Sequence, residues 1–139
     1  MQIRPFRDSD EAAVIALWEA AGLTRSWNDP RKDIERKRSV QREGFLVGTV
    51  DDAVMASIMI GYDGHRGWIN YLAIDPAHRK KGHARTLMRE AERVLAEAGC
   101  PKINLQIRTS NAVVIEFYKA IGYAQDDVVS FGRRLIADE

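Results

Sequence analysis

The strongest constraint on the fold is a strand, a cationic turn and a long helix that follow one another in mid-chain. Trp68 to Ile74 is an apolar, β-rich run that Asp75-Pro76 ends. Gly82 to Ala98 then carries apolar residues at helical spacing, and Gly99 stops it. Between them lies the turn Arg79-Lys80-Lys81-Gly82-His83-Ala84. Because a helix start exposes backbone N–H groups, a cationic turn here predicts a site for a phosphate or pyrophosphate.

Size and charge exclude several classes of protein. The chain has 139 residues, which suits one domain with a single core. Lys plus Arg number 21 and Asp plus Glu 20, a net charge of +1, whereas nucleic-acid binding favours a strongly basic surface. No apolar run reaches the roughly 18 residues of a membrane span. The first residues lack a signal-peptide core, and the single Cys100 fits a reducing compartment. We therefore expect a cytoplasmic protein with neither nucleic acid nor membrane as a partner.

Further strands and helices flank this central unit on both sides. The other predicted strands are Gln2 to Phe6, Phe45 to Val50, Val54 to Tyr62, Ile103 to Ile107 and Val128 to Leu135. The other predicted helices are a segment after Asp8 that Gly22 stops, Arg31 to Arg38, and one from Asn111 to Gly122. Short connections predict three antiparallel strands in mid-chain, and the helical crossover predicts one parallel pair. The order indicates a mixed α/β sheet with helices on both faces, in one domain over residues 1–139.

The cationic turn matches neither of two common phosphate-binding motifs. There is no G-x-x-x-x-G-K-[ST] sequence, and the turn has one Gly rather than G-x-G-x-x-G. It reads R-x-x-G-x-A, and further on Asn111 precedes a helix that carries Tyr118 and ends at Gly122-Tyr123. With these two motifs the chain resembles the GCN5-related N-acetyltransferases, the GNAT superfamily, over essentially its whole length. Within that family Trp27 to Pro30, Gly61 to Gly67 and Gly99 to Ile103 resemble the YpeA-type bacterial subgroup.

The resemblance implies a fold and an activity. The family fold would be a mixed sheet of about six to seven strands, splayed between its fourth and fifth strands, with helices on both faces. The implied reaction moves an acetyl group from acetyl-CoA to a primary amine of a small molecule or peptide, by direct attack in a ternary complex. No metal is implied, and a homodimer is compatible with relatives that often form one. The alternative is a regulatory module that binds acyl-CoA without turnover.

Acetyl-CoA would be held by the turn and by the strand before it. The resemblance implies that the amides of Lys80 to Arg85 hold the pyrophosphate, and Gly82 lets the backbone approach closely. A backbone N–H near Leu72 or Ala73 would stabilise the oxyanion, while Asn111 would bond the pantetheine arm or serve as a helix N-cap. The implied cofactor-binding residues are Leu72, Ala73, Ile74, Arg79, Lys80, Lys81, Gly82, His83, Ala84, Arg85 and Asn111.

The family resemblance also assigns Tyr118 as the catalytic acid. A Tyr with a pKa near 10 is protonated at neutral pH and can donate to a thiolate whose conjugate acid has a pKa of about 8.5. Without the resemblance, Tyr118 reads as a core aromatic residue beside Phe117. Many relatives carry a Glu on the strand before the turn, but Trp68-Ile69-Asn70-Tyr71 has no carboxylate. The base is left open among Asp63, His65, a bound water, and no base at all for an amine that arrives neutral.

The resemblance also implies that loops surround the acceptor amine. The candidate acceptor-binding residues are Trp27, Asn28, Asp63, His65 and Arg66. Trp27 either lines the pocket or caps the core, because its ring is apolar and its N–H polar. The identity of the amine is not contained in these residue types.

Overall fold

The computed structural model describes residues 1–138 as a five-stranded sheet with helices on both faces. The strands are β1 Gln2–Pro5, β2 Phe45–Val50, β3 Ala53–Tyr62, β4 Gly67–Ile74 and β5 Ile103–Leu105. The α-helices are α1 Glu11–Ala20, α2 Pro30–Arg38, α3 His83–Glu97 and α4 Ala112–Ala120. The strands lie in chain order, antiparallel from β1 to β4, and β4 is parallel to β5. The predicted mixed α/β architecture and its parallel pair are confirmed.

Each face of the sheet buries one apolar layer. The layer under α3 and α4 includes Ile58, Ile60, Ile69, Leu87, Met88, Leu95 and Tyr118. The layer under α1 and α2 includes Val14, Trp18, Ile34, Phe45, Val47 and Ala73. The alternation of strand side chains between two faces accounts for both layers. No helix within residues 1–138 is long and apolar enough to cross a membrane.

The sheet is smaller than predicted, with five strands rather than about six to seven. Val128 to Leu135, predicted as the last strand, has no regular secondary structure. Its apolar side chains stay in solvent, since Phe131 is 93% and Leu135 89% exposed. The segment follows β5 through side chains, such as Gln106, whose amide donates to Ser130 Oγ at 2.5 Å. The apolar residues of this segment do not make a strand here, because no apolar surface covers them.

β4 is paired with β5 only where β4 begins, over the whole length of the short β5. Their ladder runs from Gly67–Ile103 to Ile69–Leu105, and beyond it β4 pairs with β3 alone. Tyr71, just past the last pair, has a φ of +52°, and the register between β3 and β4 shifts there by one residue. This bulge bends β4. An open gap therefore lies between the carboxyl ends of two parallel strands, each of which leads to a helix.

Candidate active site

The turn between β4 and α3 presents a run of backbone N–H groups without a protein acceptor. Asp75 caps the short 3-10 turn before it, where its Oδ1 accepts from the Ala77 N–H at 2.8 Å. Gly82 is the N-cap of α3, and Thr86 donates to its carbonyl at 3.1 Å. Within residues 1–138, the amides of Lys80 to Arg85 donate to no protein group. Such a group of free amides at a helix start suits a pyrophosphate.

The glycine of this turn is required by its backbone conformation. Gly82 has a φ of +80°, which an L side chain rarely adopts, and a Cβ there would meet nothing within 4 Å. Lys80 also has a positive φ, +63°. The side chains of Arg79, Lys81 and Arg85 are exposed, and they form no ion pair with any carboxylate of the described chain. The turn thus combines free amides, open space and unneutralised positive charge.

The amides of β4 that face the gap follow from the strand's alternation. The Asp75 N–H donates to the Met55 carbonyl of β3 at 2.8 Å. Successive residues of a strand point their N–H groups to opposite sides. Ala73 therefore faces β3, whereas Leu72 and Ile74 face the gap. Of the two residues named for the oxyanion, the geometry favours Leu72.

Asn111 stands at the start of α4, where the gap opens on the side of β5. Its Oδ1 accepts from the Val114 N–H at 3.3 Å, which makes it the N-cap of the helix. Its side-chain NH₂ has no acceptor among residues 1–138. Capping and ligand binding use different atoms of this amide. Both interpretations of Asn111 therefore remain compatible with the structure.

Tyr118 lies inside the layer between α4 and α3. It is 7% exposed, and its hydroxyl donates to Met88 Sδ at 3.9 Å. The rings of Phe117 and Tyr123 meet it edge-on, with centroids 5.0 and 5.5 Å away. Burial raises the pKa of the Tyr118 hydroxyl, so it is protonated at neutral pH. A thioether is a weak acceptor, and the proton is therefore available to a stronger sulfur acceptor.

The turn between β3 and β4 lies at the opposite end of β4. Asp63 Oδ1 accepts from the N–H groups of Arg66 at 2.7 Å and His65 at 2.8 Å, and Oδ2 accepts from Trp68 Nε1 at 3.1 Å. These three bonds, with that of Arg66 foremost, lower the pKa of Asp63 to about 2. Leu72 lies roughly 16 Å along the strand from Gly67, the first residue of β4, at about 3.3 Å per residue. The structure does not bring Asp63, His65 or Arg66 to the gap.

The loop before α2, in contrast, reaches both walls of the gap. Asn28 Nδ2 donates to the Tyr71 hydroxyl at 3.0 Å and to Asp33 Oδ2 at 2.6 Å. The guanidinium of Arg108 lies 5.7 Å from the ring centroid of Trp27. Tyr71 belongs to the bulge of β4, and Arg108 follows β5. Trp27 and Asn28 therefore lie next to the gap, and their role in binding an acceptor stays a prediction.

Sequence reasoning missed a set of polar contacts behind this loop, which we call the tail network. Its members are Asn28, Asp33, Arg36, Tyr71, Arg134 and Asp138. Tyr71 donates to Asp33 Oδ2 at 2.6 Å, and Arg36 pairs with Asp33 at 2.9 Å and with Asp138 at 2.7 Å. The hydrogen bond from Arg36 is the main cause that lowers the pKa of Asp138 to about 2. Burial is the main cause that raises the pKa of Tyr71, and the hydrogen bond to Asp33 is the second. The i,i+3 spacing of Asp33 and Arg36 was visible in the sequence, but nothing local linked α2 to residue 138.

The family model described as "Acetyltransferase (GNAT) family" matches residues 12–123. The chain belongs to the GNAT acetyltransferase family. It is 45% identical over 139 residues to an acetyltransferase of Yersinia enterocolitica, covering 100% of this chain and 99% of that protein. An acetyltransferase of Yersinia pestis is 44% identical over the same shares of the two chains. The predicted GNAT membership is confirmed, and the YpeA-type subgroup stays a prediction.

Two solved structures share the GNAT fold of this chain. The PaiA N-acetyltransferase of Thermoplasma acidophilum, in complex with coenzyme A, superposes with a TM-score of 0.73 at 19% identity and 92% coverage of both chains. The ribosomal-protein-S18-alanine N-acetyltransferase of Escherichia coli has a TM-score of 0.73 at 20% identity, covering 87% of this chain and 76% of that one. At such identities the likeness concerns the fold alone.

The GNAT fold of this protein gathers most of the candidate residues at one end of the sheet. Leu72, the Lys80–Arg85 turn and Asn111 surround the carboxyl ends of β4 and β5, and Trp27 and Asn28 adjoin them. The candidates of the β3–β4 turn lie at the other end. Ligands of open α/β sheets commonly bind beyond the carboxyl ends of parallel strands. The geometry therefore favours the first group as one site.

Proposed function

We propose that this GNAT protein transfers an acetyl group from acetyl-CoA to a primary amine within a ternary complex. The observation that carries the proposal is the run of amides from Lys80 to Arg85 that have no acceptor among residues 1–138, at the mouth of the gap beside β4. The amides and cations suit the pyrophosphate, and the gap suits the pantetheine arm, which can pair with the unpartnered edge of β4. The coenzyme A complex of the Thermoplasma relative supports the assignment of the cofactor.

The chemistry of transfer assigns one role to Leu72, whose N–H faces the gap, and another to Tyr118 in the layer between α4 and α3. The amine nitrogen attacks the thioester carbon, a C–N bond forms, and the Leu72 N–H stabilises the negative charge on oxygen. Collapse of this intermediate breaks the C–S bond, and the sulfur leaves with the electron pair. Tyr118 donates its proton to that thiolate and regains one from solvent. The amine nitrogen loses one proton during the reaction.

The fate of that amine proton follows from what β4 lacks. No carboxylate stands on the strand between Trp68 and Tyr71. The carboxylate of Asp63 accepts hydrogen bonds from its own turn, and its pKa of about 2 makes it a weak base. In this proposal the amine arrives neutral, attacks the thioester, and then passes one proton from its nitrogen to water. An α-amino group, with a pKa near 8, suits such a site better than a Lys, with a pKa near 10.4.

The experiment that tests the cofactor assignment substitutes Gly82→Asp and measures acetyl-CoA binding by calorimetry. We expect affinity to fall by about 2 kcal/mol, roughly 30-fold, because the change adds negative charge and bulk beside the phosphates. Gly64→Asp is the matched control, since Gly64 also has a positive φ, +89°, and open space around its Cβ position. Both variants share the backbone strain, but only the first should lose affinity. Unchanged affinity in a folded Gly82→Asp protein contradicts the assignment.

Turnover is tested separately by free-thiol release from acetyl-CoA in the presence of a panel of amines. Amine-dependent release supports the transferase. Tight acetyl-CoA binding without release across amino acids, peptides, polyamines and aminoglycosides supports instead a module that binds acyl-CoA and does not turn over. The absence of a carboxylate on β4 is the one observation that favours this second candidate.

A further inference from the structure

A cavity of about 470 Å³ opens beside the loop that adjoins the gap. It is lined chiefly by Trp27, Arg36, Arg133, Arg134, Leu135 and Ile136. Its volume lies within the range of small-molecule pockets. Neither the phosphate turn nor Tyr118 contributes to its lining, so the cofactor site does not account for it.

The cavity lies next to the place where the acceptor amine must enter. Trp27 forms one wall, and the same ring lies under the guanidinium of Arg108, just past β5. Asn28, the next residue, donates to the hydroxyl of Tyr71 on the bulge of β4, one residue before Leu72. The wall that closes the cavity therefore also borders the gap. A molecule seated in the cavity could present an amine towards the thioester.

Arginines dominate the charge of this cavity. Arg36, Arg133 and Arg134 line it, and Arg108 lies behind Trp27. Two carboxylates, Asp33 and Asp138, stand against these four guanidinium groups. At the rim, Lys32 donates to the Asp138 carbonyl and Asp29 caps α2, which adds one charge of each sign. Among residues 1–138 the cavity keeps a positive excess, although the whole chain is nearly neutral.

The tail network occupies two of the four arginines and leaves the other two open. Arg36 is held by Asp33 and Asp138, and Arg134 by Asn28 at 2.9 Å. Arg133 is exposed and forms no ion pair with a carboxylate of the described residues, and neither does Arg108. The planar fork of an arginine matches a carboxylate or a phosphate. A cationic acceptor would meet repulsion here instead.

The remaining walls of the cavity are apolar. Trp27 is 47% exposed, an unusual position for so large a ring, and Leu135 and Ile136 face solvent more fully still. Clusters of exposed apolar side chains often mark ligand sites. Covering them with the body of a ligand would remove apolar surface from water.

We infer that the acceptor of this enzyme is a primary amine that also carries an anionic group, a carboxylate or a phosphate, on an apolar body. The anion pairs with Arg133 in the cavity, the positive charge of Arg108 behind Trp27 adds to the attraction, and the apolar part lies on Trp27 and Leu135. This inference rests on the proposed function, because it names the acceptor class of the same transfer. Polyamines and aminoglycosides, which carry only positive charge, are then poor acceptors.

Bisubstrate adducts test the acceptor class without requiring turnover. In each adduct the sulfur of coenzyme A is joined through a CH₂–CO group to the nitrogen of an acceptor. Four acceptors are compared: leucine, its neutral amide leucinamide, aminoethyl phosphate, and putrescine, with coenzyme A alone as the reference. We expect the leucine or the phosphate adduct to bind about tenfold more tightly than the leucinamide adduct, and putrescine to bind most weakly. The better of the two anions distinguishes carboxylate from phosphate.

Arg133→Gln and Arg108→Gln then locate the anion. Each should reduce the preference for the anionic adduct over leucinamide several-fold while leaving the affinity for coenzyme A itself unchanged. Arg93→Gln is the matched control, because Arg93 pairs with Glu90 and Glu97 on the exposed side of α3. It should leave the preference intact. A preference that survives both substitutions overturns the placement of the anion in this cavity.

The reference ligand separates the failure of this inference from the failure of the proposed function. If coenzyme A binds and the neutral or cationic adduct binds as tightly as the anionic ones, the acceptor class is wrong and the cofactor assignment stands. If coenzyme A itself does not bind the wild-type protein, the proposed function fails, and the inference fails with it.

Discussion

The two sides of the gap in this GNAT domain are built by different means. On the side proposed to bind the cofactor, one continuous segment, Lys80 to Arg85, presents backbone amides whose direction is set by the φ of Gly82. On the side proposed to bind the acceptor, the loop at Trp27, the bulge at Tyr71 and the tail at Asp138 come from distant parts of the chain and meet through side chains. A site made of backbone can be recognised from a local pattern. A site made of side chains from three segments exists only once the chain is folded.

The two kinds of construction respond differently to substitution. Most side-chain changes in the turn leave its amides in place, because the amides belong to the backbone. On the acceptor side each contact depends on one functional group, such as the Tyr71 hydroxyl or the Asp138 carboxylate. We therefore expect conservative substitutions there to change acceptor binding without changing acetyl-CoA binding.

The largest expected effect concerns Tyr118, the proposed general acid, which lies in the layer between α4 and α3. Tyr118→Phe should lower kcat by about 100-fold or more, because a general acid contributes about 10² to 10⁴ to the rate. Acetyl-CoA affinity should stay close to wild type, since the ring remains and the lost bond to Met88 Sδ is long, 3.9 Å. Stopped-flow thiol release and calorimetry measure the two quantities.

Tyr123→Phe is the control for this substitution. Tyr123 packs against Tyr118, but its hydroxyl bonds Glu92 at 3.4 Å, on the outer side of α3. The same chemical change there should leave kcat within about twofold, because the hydroxyl is remote from the thioester. Equal rates for the Tyr118→Phe protein and wild type would assign Tyr118 to the core alone.

The contrast between the two sides also explains what could be predicted from the sequence. Two local patterns were sufficient to predict the turn, the parallel strand pair and the family. One is the spacing of Arg79, Gly82 and Ala84 after an apolar strand, and the other is Asn111 before a second helix. The tail network was not predictable in this way, because Asp33 and Asp138 are far apart in the chain and meet only in the fold, through Arg36 and through Asn28 and Arg134.

Two sequence expectations show where local patterns fail. Val128 to Leu135 has apolar and β-branched residues that suit a strand, but pairing depends on a partner edge and a covering layer, which local sequence does not report. The turn with Asp63 and His65 carries suitable chemistry, but β4 is straight enough before its bulge to hold that turn far from Leu72. Distance along an extended strand decided the second case.

A smaller effect should follow from Tyr71→Phe, which tests the acceptor side alone. The ring would keep its stacking on Trp18, at 3.8 Å between centroids, while Asp33 loses a donor at 2.6 Å. We expect stability to fall by about 1.5 kcal/mol, a usual value for a hydrogen bond to a charged group. Affinity for the preferred bisubstrate adduct should fall about fivefold more than affinity for coenzyme A, because Asn28, the neighbour of Trp27, loses one of its hydrogen-bond partners. Denaturant unfolding and calorimetry measure these changes.

Tyr62→Phe provides the matched comparison for that variant. Its hydroxyl donates to the Gly99 carbonyl at 3.5 Å, near the end of β4 that lies away from the gap. So long a bond contributes little, and its removal should change neither stability nor adduct binding measurably. If Tyr71→Phe weakens coenzyme A as much as the adduct, the two sides of the gap are not independent, and the comparison drawn above is wrong.

The smallest expected effect is a pH dependence that should divide the two ends of the sheet. Two carboxylates have a pKa of about 2 in the folded protein. The pKa of Asp138 is lowered chiefly by the hydrogen bond from Arg36, and that of Asp63 chiefly by the hydrogen bond from the Arg66 N–H. An unfolded Asp has a pKa of about 3.9, so each contributes stability that is present above that pH and lost as the pH falls towards the folded value. Between about pH 5 and pH 3 the melting temperature of Asp138→Asn and of Asp63→Asn should therefore fall less than that of wild type.

At about pH 7 only Asp138→Asn should lower the affinity for the anionic adduct, because, of the two carboxylates, only that of Asp138 holds arginines of the cavity in place. If Asp63→Asn weakened binding of the anionic adduct equally, the β3–β4 turn would contribute to the acceptor site, which contradicts its position at the far end of β4.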